Sequence, residues 1–353
     1  MKKIFFVIHE LTVGGAEKVV VNVMNNIDRD KYEIHLIIFR NIGELKEELK
    51  DDIIIHDLKV DSVKKGAFLL YRLIKNEHPD IVFSGIAHVN LMLAMMIPFL
   101  PKGIRYIARE TSIVSKRDEK NNFYKILYRF FYNNFDIIVC QSYYMKNDLE
   151  INFHINQEKI VVINNPVNIG KIRELASTNE NLFNKKYFNL LAVGGLRPEK
   201  GFDLLLQAIS ELDKRFFLTI IGDGQERKKL EQFAKELKIS DRVRFLGFKS
   251  NPYPYMAQAD LMVLSSRYEG FPNVVLEANA CGIPVVAFNC PGGTGEIIKN
   301  GINGFLVKCK DINELAKMIK KASVFRWDKD KIIKYIEQRY SLDEIVNKYE
   351  KIF

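Results

Sequence analysis

The chain has no close pair of cysteines. Cys140, Cys281, Cys290 and Cys309 are scattered through 353 residues. That spacing offers no zinc-ligand pattern and suits a reducing cytosol rather than a disulfide framework. Long hydrophobic runs are also missing. The longest beyond the N-terminus, Leu91 to Leu100, is about half the length of a membrane-spanning helix. Met1-Lys-Lys is followed by an apolar run, but His9 and Glu10 end it too early for a cleavable signal. The expected localisation is therefore cytoplasmic. A three-glycine dinucleotide fingerprint is absent, which weakens any oxidoreductase reading. No basic helix, zinc finger or RNA-binding strand signature is present, so nucleic acid is not an expected partner.

The apolar fraction of 47% leaves no case for disorder, and the length allows two domains with proper cores. The formal charge is +9, unevenly placed. Residues 1–165 hold 23 Lys/Arg against 21 Asp/Glu, leaving 30 against 23 for the rest. The second part therefore carries most of the excess, which favours an anionic ligand there.

Strand-like and helix-like segments alternate throughout. Ile4–Ile8 is followed by a helical pattern over Ala16–Ile27, then by strands at Tyr32–Phe39, Ile53–Leu58, Pro79–Phe83, Ile104–Ala108 and Asp136–Cys140. A second series begins after Asn164-Asn-Pro-Val167: Asn189–Val193, Phe216–Ile221, Val243–Leu246, Leu261–Leu264, Pro284–Ala287 and Gly304–Val307. This alternation implies βαβ units and parallel sheets, hence an α/β protein of two doubly wound domains. Ligands then belong at the carboxyl ends of strands, with an interdomain cleft as the default site.

The most informative stretch is Glu269-Gly-Phe-Pro-Asn-Val-Val-Leu-Glu277. Pro272 suits the first turn of a helix. The amides of Asn273 and Val274 would then face outward, a seat for phosphate. Glu269 before the helix and Glu277 one turn inside it can accept hydrogen bonds from sugar or ribose hydroxyls. The bland alternative is a capped helix with two solvated glutamates. Val193-Gly-Gly-Leu-Arg-Pro-Glu-Lys-Gly201 places Arg197 and Lys200 beside a glycine turn, which suits a diphosphate leaving group; a solvated loop is the alternative. Gly14-Gly15 opens the first helix and is either a backbone approach to ligand or a simple tight turn. Gly222-Asp-Gly224 reads as a turn, and Pro291-Gly-Gly-Thr-Gly-Glu296 is another strand-to-helix turn, a candidate to lie against the same ligand. Asp28-Arg-Asp30 and Asp328-Lys-Asp330 do not follow strand ends, so no metal site is expected.

His88 follows a strand of the first domain. It is a candidate to act on an acceptor hydroxyl, or a structural histidine. Arg109-Glu110-Thr111 is a candidate cleft lining. Residues 99–135 carry eight Lys/Arg against three acidic residues, interleaved with Tyr106, Phe123, Tyr124, Tyr128, Phe130, Phe131, Tyr132 and Phe135. This suits either a peripheral contact with the inner face of an anionic membrane or an amphipathic helix with its aromatics in the core.

In this order, the motifs resemble the retaining GT-B glycosyltransferases of family 4. The resemblance covers nearly the whole chain. Its most specific part runs from Ser265 to Gly282 and on through Ile283-Pro-Val-Val286, supported by Lys200-Gly201, Gly222-Asp-Gly224 and Phe245-Leu-Gly247. It implies the GT-B fold, two Rossmann-like domains facing across a cleft. Residues 1–165 would bind acceptor and 166–334 the nucleotide-sugar. A C-terminal helix at about 335–353 would pack back on the first domain. The implied reaction is transfer from a nucleotide-sugar, expected to be UDP-linked, with retention and without metal or other cofactor. The implied acceptor is a glycan or lipid-linked glycan in cell-surface polysaccharide assembly. By the same resemblance Glu269 touches donor-sugar hydroxyls, Glu277 binds ribose and Lys200 the diphosphate. Backbone from Gly270 through Phe271, Pro272 and Asn273 to Val274 holds sugar and phosphate, and Gly14 and Gly15 approach donor phosphates and acceptor. One departure stands out. The family often has arginine where this chain has Gly195, and Arg197 is the candidate replacement. A catalytically silent nucleotide-sugar-binding subunit is the competing reading.

Overall fold

The computed structural model describes residues 1–12, 14–117 and 122–353. Val13 of the first glycine turn and residues 118–121 of the 99–135 segment lie outside the described residues. Two compact units emerge: Met1–Pro166 with Leu342–Phe353, and Val167–Ser341.

The first unit is built on a parallel sheet of β1 (Lys2–Ile8), β2 (Tyr32–Ile38), β3 (Ile54–Asp57), β4 (Ile81–Ser84), β5 (Arg105–Arg109), β6 (Ile137–Cys140) and β7 (Ile160–Val162). Their spatial order is 3-2-1-4-5-6-7. The inner strands are apolar on both faces because helices cover both, as parallel sheets require. Ile4 through Ile8 are all fully buried. The edge strand β7 was not expected. At three residues it is too short for periodicity to register.

The second unit repeats the plan with β8 (Phe188–Val193), β9 (Phe216–Ile221), β10 (Val243–Phe245), β11 (Leu261–Leu264), β12 (Val285–Asn289) and β13 (Gly304–Lys308), in the order 10-9-8-11-12-13. In each sheet the chain winds outward from a central pair, β1/β4 in one and β8/β11 in the other. The connections leaving the carboxyl ends of that pair diverge to opposite faces, which opens a crevice there.

The segment from about residue 335 is not one helix. Lys329–Tyr340 packs on Asn273–Ala280 within the second unit, whereas Leu342–Glu350 packs on Gly15–Asn26 within the first. The break is Ser341, whose extended backbone (φ −56°, ψ 150°) forms a bridge with Val167. Val167 N donates to Tyr340 O at 2.8 Å, so the two crossings of the chain are tied side by side. Beyond the break, Tyr349 and Phe353 meet the Phe83 ring edge-on at 5.8 Å each, anchoring the chain end in the first core.

Candidate active site

In the second unit, the two loops leaving the switch point carry the charged residues singled out above. β8 runs into Gly194–Gly201, then into the helix Phe202–Ser210. β11 runs into Ser265–Phe271, then into the helix Asn273–Ala280. Lys200 Nζ donates to both carboxylate oxygens of Glu269, at 2.7 and 2.9 Å. Ser266 Oγ donates to Glu269 Oε1 at 2.6 Å. Glu269 is only 8% exposed, and a carboxylate so enclosed is tolerable only with such partners.

Backbone approaches fix both loops. Gly201 has φ 63°, and a Cβ there would overlap the Ser265 carbonyl oxygen. Ser265 Oγ in return donates to Lys200 O at 3.1 Å. On the other side Gly292 has φ 119°, and a Cβ would overlap the Glu269 carbonyl oxygen. Glu269 N donates to Pro291 O at 3.0 Å and Gly293 N to Gly270 O at 2.9 Å. The glycine turn after β12 therefore lies directly on the Glu269 loop.

Pro272 sits one position earlier than expected. It is the N-cap residue, and the helix begins at Asn273. Its carbonyl accepts from Val275 N at 3.0 Å, and no side chain caps this end. The Phe271 side chain turns into the core, 5.6 Å from the Tyr340 ring, which leaves backbone at the site. Glu277 is half-buried one turn inside the helix and accepts from Tyr253 Oη at 3.3 Å. Arg197 is exposed and bonds Glu199 through Nε at 2.9 Å. That nitrogen lies 3.4 Å from where a Cβ on Gly195 would stand, so its guanidinium folds over the glycine.

Three contributors here were missed in the sequence: Ser266, Arg267 and Asp203. Ser266 lies beside the motif, but only geometry aims its hydroxyl at Glu269. Arg267 and Asp203 are 64 positions apart, and no local pattern pairs them.

In the first unit, Gly14, Gly15 and His88 lie at the carboxyl ends of β1 and β4. The Glu17 carboxylate folds over Gly14, where a Cβ would overlap it, and burial raises its pKa. His88 is at the surface with its ring 5.3 Å from that of His9. Desolvation by the surrounding protein, then the neighbouring His9 and Arg117 charges, lower its pKa and favour the neutral imidazole. Arg109 and Glu110 do not line a surface. Both are essentially fully buried. Arg109 Nη2 donates to Asn165 Oδ1 at 2.7 Å, and Glu110 accepts from Asn90 Nδ2 at 3.3 Å and from Tyr132 Oη.

Comparison with known proteins fits this arrangement. Residues 13–171 match a family model described as Glycosyltransferase Family 4, and residues 175–339 one described as Glycosyl transferases group 1. An uncharacterized glycosyltransferase of Methanocaldococcus jannaschii is 31% identical over 326 residues, covering 87% of this chain and 84% of that one. The chain belongs to the group 1 glycosyltransferases. A second relative of this glycosyltransferase is the N-acetylgalactosamine-N,N'-diacetylbacillosaminyl-diphospho-undecaprenol 4-alpha-N-acetylgalactosaminyltransferase of Campylobacter jejuni, 29% identical over 91% of this chain and 90% of that one. The fold is GT-B. Among solved structures it is similar to Anabaena HepE in complex with UDP, with a TM-score of 0.79 at 21% identity over 99% of both chains.

Gly292→Ala should destabilise this glycosyltransferase by about 2 kcal/mol or more, from backbone strain plus overlap with the Glu269 carbonyl. Urea unfolding checks this. A loss under about 0.5 kcal/mol would mean that the loop after β12 can withdraw from Glu269 freely.

Proposed function

We propose that this glycosyltransferase moves a sugar from a UDP-sugar to a glycan acceptor with retention at the anomeric carbon, without a metal. The Lys200–Glu269–Ser266 arrangement at the switch point carries this reading. It puts a cation and an oriented carboxylate within one hydrogen bond of each other, beside the end of the helix Asn273–Ala280. A departing diphosphate needs the first, and sugar hydroxyls need the second.

In the reaction, the bond from the anomeric carbon to the diphosphate oxygen breaks and its electron pair stays with the diphosphate. Lys200, Arg197 and the amides of Asn273 and Val274 stabilise that charge. Arg197 folds over Gly195 and so supplies a guanidinium where the family often has its arginine. The acceptor hydroxyl attacks from the leaving-group face, and a donor phosphate oxygen takes its proton. Glu269 orients the sugar hydroxyls and forms no covalent bond. Glu277 accepts from the ribose. His88 belongs to the acceptor side with Gly14 and Gly15. HepE is solved with UDP, with UDP and glucose, and with UDP-glucose, which supports a UDP-linked donor.

The Campylobacter relative is named for a diphospho-undecaprenol-linked sugar, and others for lipopolysaccharide core biosynthesis. A lipid-linked acceptor in cell-surface polysaccharide assembly is the matching assignment here. No helix among the described residues is long and apolar enough to cross a membrane. The first unit instead exposes large apolar side chains on one helical layer: Phe68 (65%), Phe99 (75%), Phe123 (65%), Phe130 (74%) and Ile151 (71%). Tyr128, Tyr132 and Phe135 of the same segment are fully buried. The 99–135 stretch thus fills the core with one set of aromatics and presents another outward among Lys125 and Arg129. We assign this layer to the cytoplasmic membrane's inner face, where aromatic and basic side chains together bind anionic lipid.

Lys200→Ala should lower kcat/KM by about 100-fold or more, measured as nucleotide release from the best UDP-sugar; near-normal turnover would remove Lys200 from the diphosphate. Glu277→Ala should weaken UDP binding by about tenfold, the loss of one charged hydrogen bond. Calorimetry reads this directly, and an unchanged affinity would contradict the ribose assignment. The protein should float with anionic but not neutral liposomes, and Phe123→Ser with Phe130→Ser should abolish flotation. Absence of flotation, or indifference to those substitutions, would refute the membrane assignment.

A further inference from the structure

Arg267 has no role in the reaction just described, yet its side chain holds the two loops together through three hydrogen bonds. It stands two residues before Glu269 and reaches back to the Lys200 loop on both flanks of that lysine. Its Nη1 donates to Pro198 O at 2.6 Å and to Asp203 Oδ1 at 2.8 Å. Nη2 donates to Asp203 Oδ2 at 2.6 Å. Its backbone N donates to Glu199 O at 2.8 Å. Pro198, Glu199 and Asp203 bracket Lys200 in the chain, so one residue grips the loop before and after the ammonium that meets Glu269.

The chemistry favours a rigid grip. A guanidinium facing a carboxylate through two parallel bonds fixes an angle as well as a distance, which a lysine cannot do. Both partners are only partly exposed, 28% for Arg267 and 39% for Asp203. Burial pushes the Asp203 carboxyl up, but the Arg267 fork together with the backbone amides of Asp203 and Leu204 outweighs it and leaves the group below its usual pKa. Asp203 also sits in the first turn of its helix, where a carboxylate is favoured. The pair therefore stays charged across neutral pH.

We infer that Arg267 is a positioning residue, which sets the distance between Lys200 and Glu269 by clamping Pro198 and Asp203. This rests on the proposed roles of Lys200 and Glu269. The clamp acts on how Lys200 is presented to the leaving diphosphate, and so on kcat more than on nucleotide affinity.

The test combines hydrogen exchange with a double-mutant cycle on the full chain. In Arg267→Lys, amides of residues 199–205 should exchange faster while the strands of the second sheet keep wild-type rates. Turnover should fall by about 10- to 100-fold, the usual consequence of a misplaced catalytic group, with UDP affinity within about twofold of wild type. In a Lys200→Ala background the same substitution should cost almost nothing more, because its effect passes through that lysine. Asp203→Asn, which keeps the shape but weakens the fork, should give an intermediate loss, and this guards against a simple folding defect. Unchanged exchange at 199–205, or a loss that multiplies with Lys200→Ala, would overturn the clamp. Failure of the underlying donor reading would look different: Lys200→Ala itself would then be harmless.

Discussion

The second unit is organised around one charge pair held where its sheet reverses winding. Lys200 and Glu269 come from loops 69 positions apart, and neither side chain could be enclosed alone. An unpaired carboxylate in that position would cost several kcal/mol. The pair is possible because β8 and β11 are adjacent and parallel, so both carboxyl ends open on the same edge. The glycines follow from that closeness. Gly201 and Gly292 each stand where a neighbouring carbonyl leaves no room for a Cβ. Sheet topology thus sets the charge pair, and the charge pair sets where only glycine fits.

Much of this was legible because the relevant signals are local. Apolar runs of four to seven residues between helical patterns mark the strands, and Glu269, Lys200 and the glycine turns sit at strand ends where such runs stop. What escaped lies in two categories. Short or interrupted elements give no period: β7 has three residues, and the break at Ser341 interrupts an apolar pattern that otherwise continues into the last helix. Long-range pairings give no local signal either. Arg267 reads as one more surface cation until its fork on Asp203 is seen, and Arg109-Glu110 read as cleft residues although both are buried. The aromatic segment 99–135 was ambiguous for a related reason. Its sequence holds two interleaved faces, and only packing assigns Tyr128 and Tyr132 inward and Phe123 and Phe130 outward.

The same charge pair bears on how a donor would enter. Lys200 directs two of its three N–H donors at Glu269. On the proposed assignment, a diphosphate claims that ammonium while sugar hydroxyls claim the carboxylate. On that assignment binding would exchange one satisfied pair for two new ones. UDP without sugar would draw Lys200 away and leave Glu269 with Ser266 as its remaining charge-stabilising contact. A sugar without diphosphate would have to compete with an ammonium for the same oxygens. Only the intact donor satisfies both ends at once. On the proposed assignment, the uridine and ribose contacts, Glu277 among them, would contribute binding energy remote from the reacting bond, which can be used to open the pair. A clamp such as Arg267 keeps the cost of that exchange small, since the loops need not move when the side chains change partners.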